Sequence, residues 1–340
     1  MATVQTVTGE IDCRQLGRVL MHEHVFVMNH EYQVNYPETW DDDERTEDAV
    51  KKLIALKGAG IDTIVDLTVL GLGRDIRRVR VVAERSPVTI IAATGFYTFA
   101  DLPTYLRVRG PGRLLGGEEP LVDMFVKDIT EGIAGTGIRA GILKCVTDAP
   151  GVTPDIERIL RAVARAHLIT GVPISTHTDA LAERGLDQQK IFAEEGVDLG
   201  AVVIGHSGDT DDLDYLQRLI DAGSYLGMDR FGLDGFMTFE KRVATVAALV
   251  QRGYASRMVL SHDTSCHTQN VPDDYRAQNW PNWQFHHIVD DVVPALLDAG
   301  VTPRDIETML VDNPREIFAA GSSGGNQRLS IDEAARQNMG

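Results

Sequence analysis

The chain has 340 residues, 43% of them hydrophobic, and 33 Lys and Arg against 50 Asp and Glu give a formal charge of −17 at pH 7. That apolar share can fill a sizeable core and excludes wholesale disorder, while the charge is of the wrong sign for binding a phosphate backbone or an anionic membrane surface. Three cysteines, Cys13, Cys145 and Cys266, are too few for a disulfide framework. The segment Met1–Glu10 has neither the basic nor the apolar region of a secretory signal, and no apolar run approaches the roughly 20 residues that span a bilayer. The expectation is a cytoplasmic protein with no nucleic-acid or membrane partner.

In chain order, Val4, Val7 and Ile11 alternate with polar neighbours and predict a small hairpin under the body of the fold. Short apolar, β-branched runs follow at Arg18–Met21, Thr63–Leu67, Val88–Ala93, Ala140–Leu143, Pro173–Ser175, Ala201–Ile204, Ser224–Gly227 and Met258–Leu260. Amphipathic stretches separate them. Thr153-Pro154-Asp155 is an N-cap followed by proline at the first helical position, leading into Ile156–Thr170. Asp211–Ala222 and Thr238–Arg252 carry apolar residues at three- and four-residue spacing, and glycines at 171, 223 and 253 stop the helices. Strands alternating with helices pair in parallel, and eight such units close a barrel. The predicted fold is therefore an α/β, (β/α)8 TIM barrel forming one catalytic domain over residues 1–320. The segment 321–340, opening Gly321-Ser322-Ser323-Gly324-Gly325, reads as a flexible C-terminal tail.

Metal-capable residues recur at one end of these strands. The first ends in His22-Glu23-His24, the fourth in Lys144, the fifth in His177, the sixth in His206 and the eighth in Ser261-His262-Asp263. In a barrel those ends surround one mouth, where active sites of this fold lie. Residues two apart on a strand share a face, so His22 and His24 can reach one ion while Glu23 points away as a structural partner. Lys144 stands in an apolar strand, where a charged amine is costly. A neutral amine there can take up carbon dioxide as a carbamate, a carboxylate on a long stem able to bridge two ions. Asp263 can bind an ion and also carry a proton. His262, of opposite parity, is assigned to packing or to supporting the ligands from behind, and His30, His167, His267, His286 and His287 are expected at the surface.

The order His-x-His, lysine, histidine, histidine, aspartate resembles the amidohydrolase superfamily in its binuclear, carbamylated-lysine branch. The wording is closer still to the phosphotriesterase-like lactonases, in Leu20–His24, Asp66–Thr68, Ala93–Tyr97, Ala140–Lys144, Ile174–His177, Val203–His206, Met228–Gly232, Leu260–Asp263 and Asp312–Arg315. The resemblance spans roughly residues 10 to 320. It implies two divalent metal ions, zinc first and cobalt, iron or manganese as alternatives. His22, His24 and Asp263 would hold the more buried ion and His177 and His206 the more exposed one, with carbamylated Lys144 and a hydroxide bridging them. Metal binding can lower a water's pKa from 15.7 to about 7, so that hydroxide would attack and Asp263 would pass its proton to the leaving alkoxide. Tyr97 and Arg230 match positions that face the substrate.

By the same resemblance, the short seventh loop, from Arg230 to Thr238, goes with lactonases. The long eighth loop, Thr264 to about Asn282, offers Trp280 and Trp283 as walls for an acyl chain. The expected substrates are acyl-homoserine or other aliphatic lactones, with organophosphate triesters as a side activity, and the expected assembly is a homodimer. An amide, cyclic imide or phosphoester hydrolase is the competing reading, and a non-catalytic binding barrel a further one. Thr264-Ser265-Cys266-His267 departs from the commoner family pattern after the aspartate.

Overall fold

A computed structural model describes residues 1–323 of the chain. Strands β1 (Thr3–Thr6) and β2 (Gly9–Asp12) form an antiparallel hairpin. The eight predicted strands all form, as β3 (Val19–Val27), β4 (Thr63–Asp66), β5 (Thr89–Gly95), β6 (Ile142–Thr147), β7 (Ile174–Thr178), β8 (Val202–Ile204), β9 (Tyr225–Met228) and β10 (Met258–Leu260). A further strand, β11 (Ser265–Thr268), lies inside the predicted eighth loop. The nine strands make one parallel sheet in the order β10-β9-β8-β7-β6-β5-β4-β3-β11. It curls into a TIM-barrel-like fold with helices between the strands. The ends meet where Asp263 N donates to His22 O (3.0 Å), His24 N donates to Thr264 O (2.8 Å), and Ser265 registers with His24.

Alternation along each strand splits the apolar residues into two cores. Val19, Met21, Val65, Leu67, Ile91, Ala93, Ile142, Val203, Tyr225 and Val259 fill the inside of the curl, and Val4, Cys13, Leu16, Ile317 and Phe318 join the same cluster from the hairpin side. Leu20, Ile64, Ile90, Leu143, Ile174, Ile204 and Leu260 face the surrounding helices. The hairpin docks at the start of the strands, where Val7 N donates to Ile90 O at 2.9 Å. It therefore covers the end opposite the mouth, as predicted.

Helix ends follow their chemistry. Thr153 caps Pro154–Thr170 through a bond from Ile156 N, and Gly171 closes it at φ 81°, a left-handed conformation that glycine adopts without strain. Asp212 and Thr238 cap Leu213–Asp221 and Phe239–Gln251 in the same way. The eighth loop, expected from its length alone, holds β11 and the helix Asp273–Asn279. The last helix runs Asn313–Ser323, three residues past the boundary set at 320, and the rest of the expected tail lies outside the described residues. No described helix is long and apolar enough to cross a membrane.

Two surface assignments are corrected by burial. His267 and His287 are 7% and 2% exposed. Trp40 packs edge-on against His267 at 5.4 Å, and Phe239 lies 5.3 Å from His287. Both histidines sit on elements that fold back over the barrel, which local sequence does not reveal.

Glu23, wholly buried, is the joint between β3 and the end of β10. Its carboxylate accepts from Ser261 Oγ (3.1 Å), His262 N (3.0 Å), His262 Nδ1 (2.7 Å) and Thr264 N (2.9 Å). His262 Nε2 accepts from Ile288 N at 2.9 Å, which fixes the Nδ1–H tautomer and ties the loop beyond to the barrel. Removing one partner of such a buried cluster typically costs about 3–5 kcal/mol. Glu23→Ala is accordingly expected to lower the melting temperature by on the order of 10 °C. A shift of only a degree or two in a thermal melt would contradict that role.

Candidate metal centre and active site

The mouth residues are brought together by local backbone features as well as by strand alternation. The register of β3 against β4 shifts between Leu20 and Glu23. That irregularity allows His22 to join His24 at the mouth although Met21 faces the barrel core. Lys144 keeps the parity of Ile142 and so enters the interior of the curl. His206 and Asp263 both adopt left-handed backbone (φ 58° and 55°), an uncommon conformation for residues with a Cβ, which turns each strand end sharply.

Around the centre, His22 Nε2 lies 3.3 Å and His24 Nε2 3.1 Å from Asp263 Oδ1. Lys144 Nζ is 3.2 Å from His22 Nε2 and donates to Thr176 O at 3.1 Å. His206 Nε2 meets His177 Nδ1 at 2.9 Å and lies 3.8 Å from Asp263 Oδ2. The six predicted ligand residues are thus one contiguous cluster, buried except for the partly buried Asp263. His22, His24 and Asp263 present ligand atoms within 4.8 Å of one another.

The outer nitrogens of the rings are occupied. Asp229 accepts from His22 Nδ1 (2.8 Å) through one oxygen and from His206 Nδ1 (2.9 Å) through the other, and also from His206 N (2.8 Å). His24 Nδ1 contacts Thr68 Oγ1 at 2.8 Å, and that hydroxyl donates to Asp66 Oδ1 at 2.5 Å. His177 Nε2 bonds Asp148 Oδ2 at 2.5 Å. His22, His206 and Asp229 also offer ligand atoms to one another. Because the Asp229 oxygens are engaged by both Nδ1 groups, we read Asp229 as the residue that fixes those two rings. Sequence reasoning missed Asp229, Asp148 and Asp209. The only available signal was position: Asp229 and Asp148 each follow the apolar run of a strand.

Burial sets the protonation of the cluster. It lowers the His22 imidazole, helped by the Lys144 charge, and holds His206 well below its ordinary value, helped by Arg230. His177 is brought down to about 4 by burial against the opposing pull of the Asp148 hydrogen bond. Burial also brings Lys144 down to about 8, with Asp263 and Asp229 resisting. For Asp263 burial acts upward, but His22, His206, the His24 hydrogen bond and Arg230 outweigh it and hold the carboxyl well below the usual range. Burial and Asp263 push the Tyr97 phenol upward, so it stays protonated.

These features fit a metal. Neutral imidazoles and an ionised carboxylate are the donors that zinc, iron, cobalt and manganese accept. Imidazoles whose second nitrogen is held by a carboxylate or hydroxyl are typical of ligating histidines. A buried amine brought toward neutrality is the state that carbamate formation requires.

A cavity of 180 Å³ opens beside the cluster. Tyr97 and Trp283 line it together with Leu72, Val271 and Ser265. Trp283 is also fastened to the strand end, its indole N–H donating to His262 O (3.0 Å) and Asp263 O (3.1 Å). Trp280 lies outside this cavity, edge-on to Trp283 at 5.7 Å and facing an outer groove with Arg45 and Lys52. Arg230 pairs with two carboxylates. It donates from Nε to Asp263 Oδ2 (3.0 Å) and from Nη1 to Asp209 Oδ2 (2.9 Å).

Comparison with known proteins agrees with this architecture. Residues 2–318 match the model of the Phosphotriesterase family. A "Phosphotriesterase homology protein" of Mycobacterium tuberculosis is 56% identical over 319 residues, covering 94% of this chain and 98% of that protein. An "Aryldialkylphosphatase" of Saccharolobus solfataricus is 38% identical over 311 residues, covering 91% and 97%. The solved structure of the phosphotriesterase from Mycobacterium tuberculosis superposes with a TM-score of 0.92 at 56% identity, covering 93% of this chain and 98% of that one. The chain belongs to the phosphotriesterase family and is a hydrolase of that family.

Proposed function

We propose that this hydrolase is a binuclear metal-dependent lactonase acting on acyl-homoserine or other aliphatic lactones, with slower hydrolysis of organophosphate triesters. The observation that carries the metal assignment is the convergence of four imidazoles, Asp263 and a buried Lys144 on one point, each ring fixed from behind. In this reading His22, His24 and Asp263 would hold one ion and His177 and His206 the other, with carbamylated Lys144 as the further ligand between the two sets. When bound, two such ions supply an activated water and polarise the substrate oxygen. The chain's own residues do the rest. Asp263, held ionised, takes the proton from the attacking water and returns it to the leaving alkoxide. Arg230 aims Asp263, and the Tyr97 hydroxyl donates to the charge that develops on the carbonyl oxygen.

The lactone preference rests on the short link from Arg230 to Thr238 and on the cavity. Its floor is the histidine cluster, and Leu72, Val271 and Trp283 give it apolar walls that suit an aliphatic lactone. A chain attached to the lactone would run past Trp283. A specific finding favours a second reading, amide hydrolysis: an "N-acetyltaurine hydrolase" of Tetraodon nigroviridis is 28% identical over 92% of this chain. A panel of lactones, N-acyl amines and phosphotriesters tests the proposal. Lactones should give the highest kcat/KM, and a panel led by amides or triesters would overturn it. A homodimer belongs to the same reading.

Chain length probes the wall directly. Each buried methylene contributes about 0.8 kcal/mol, close to a fourfold change in specificity. Trp283→Ala should therefore cut kcat/KM on long-chain lactones by about tens-fold more than on short ones. Trp283→Phe, which keeps a ring but loses the N–H, should retain most of the chain-length dependence. An equal drop at every length would assign Trp283 to holding the strand end alone.

A further inference from the structure

Arg242 is the largest wholly buried side chain of the described residues, with 1% exposure, and the site as described above leaves it without a task. It rises from the helix Phe239–Gln251 beneath the seventh loop. Its guanidinium donates to two separate segments, residues 208–209 and the seventh-loop turn. Nη1 donates to Gly208 O (2.6 Å), Nη2 to Asp209 Oδ1 (2.7 Å) and Leu233 O (3.3 Å), and Nε to Met237 O (3.2 Å). The remaining oxygen of Asp209 takes Arg230, and Arg230 takes Asp263. Charges therefore alternate in one buried row, Arg242, Asp209, Arg230, Asp263, from a helix to the reaction centre.

The two loop carbonyls that Arg242 holds, Leu233 and Met237, flank Phe236. Leu233 O also accepts from Phe236 N at 3.2 Å and so closes the turn that presents this ring. The Phe236 ring, 58% exposed, lies 5.0 Å from the Arg230 guanidinium carbon. One side chain thus fixes both the carboxylate behind Arg230 and the loop in front of it.

We propose that Arg242 is a positioning residue for the hydrolytic site, acting through Asp209 and the seventh-loop turn to hold Arg230 against Asp263. The proposal rests on the reading of Arg230 and Asp263 as working parts of that site. Four acceptors in different directions require a planar fork. A lysine keeps the charge, but its compact ammonium cannot span them. The link is geometric and does not depend on any change of protonation.

A double-mutant cycle with hydrogen exchange tests it, on the metal-loaded enzyme and whichever substrate of the panel is turned over fastest. Arg242→Lys should lower kcat by about tenfold with little change in KM, and Arg230→Ala by about a hundredfold. The two together should be no slower than Arg230→Ala alone, within about twofold, because both act on one contact. Amides of residues 231–238 should exchange faster in Arg242→Lys, while the strands and the metal content stay as in the parent. The exchange result does not depend on which substrate is correct, so it separates failure of this proposal from failure of the lactonase reading. Additive rate losses would overturn it, since a residue that merely stabilises the fold costs the same in either background. Unchanged exchange in residues 231–238 would overturn it as well. Should Arg242→Lys fold poorly, Arg242→Gln carries the same two readouts.

Discussion

Asp263→Asn is expected to lower kcat by about a thousandfold, within the 10²–10⁴ range of general acid–base catalysis, while the protein remains folded. The substitution keeps the size of the side chain and one oxygen that can still approach His24 Nε2, now at 3.1 Å. It removes the charge that Arg230 and the surrounding histidines stabilise, and with it the group that accepts and returns the proton. The loss should fall on kcat for every substrate of the panel, because each reaction needs the proton moved from the attacking water to the leaving group. Metal content measured on the same sample separates the two duties of the residue. A fully metallated Asp263→Asn enzyme with the parent's rate would assign the proton transfer to another group.

Lys144→Ala has the other largest expected effect. Lys144 is 1% exposed, and among the described residues its amine has His22 Nε2 and Thr176 O within bonding distance. Truncation leaves no group that can become a bridging carboxylate, so most bound metal and nearly all turnover should be lost. Short carboxylic acids such as acetate or propionate should restore part of both by entering the space left by the side chain. The structural effect should be modest, because the lost contacts are those of a single aliphatic stem; burial of comparable side chains contributes about 2–3 kcal/mol. Full activity in the alanine variant would end the bridging assignment.

The barrel was legible because parallel strands buried on both faces read as apolar, β-branched runs, and each such run in this chain became a strand. The convergence of the six side chains was legible because it follows from one rule, that residues at the ends of barrel strands share a mouth. β11 was not legible: Ser265-Cys266-His267-Thr268 is short and polar, and it is a strand only because β3 extends to Val27 and offers it a partner. His267 and His287 were expected at the surface for the same reason, since what buries them comes from distant segments. Asp229, Asp148 and Asp209 escaped because a carboxylate that fixes an imidazole or guanidinium is chosen by three-dimensional proximity, 207 positions away in the chain for His22 and Asp229. Arg242, on the polar-looking face of an amphipathic helix, carried no sign of burial. Trp283 was anticipated at the cavity, whereas its neighbour Trp280 faces outward, a difference that depends on how the Asp273–Asn279 helix turns the chain.

In the proposed mechanism the mouth would hold two divalent ions on these six side chains. Metal content per chain, measured by plasma mass spectrometry after loading and exhaustive dialysis, tests it most directly. The account predicts two equivalents in the parent protein and a fall well below one in Lys144→Ala, with lactone turnover falling in step. One equivalent or none in a fully active parent protein, or two equivalents retained without Lys144, would contradict it.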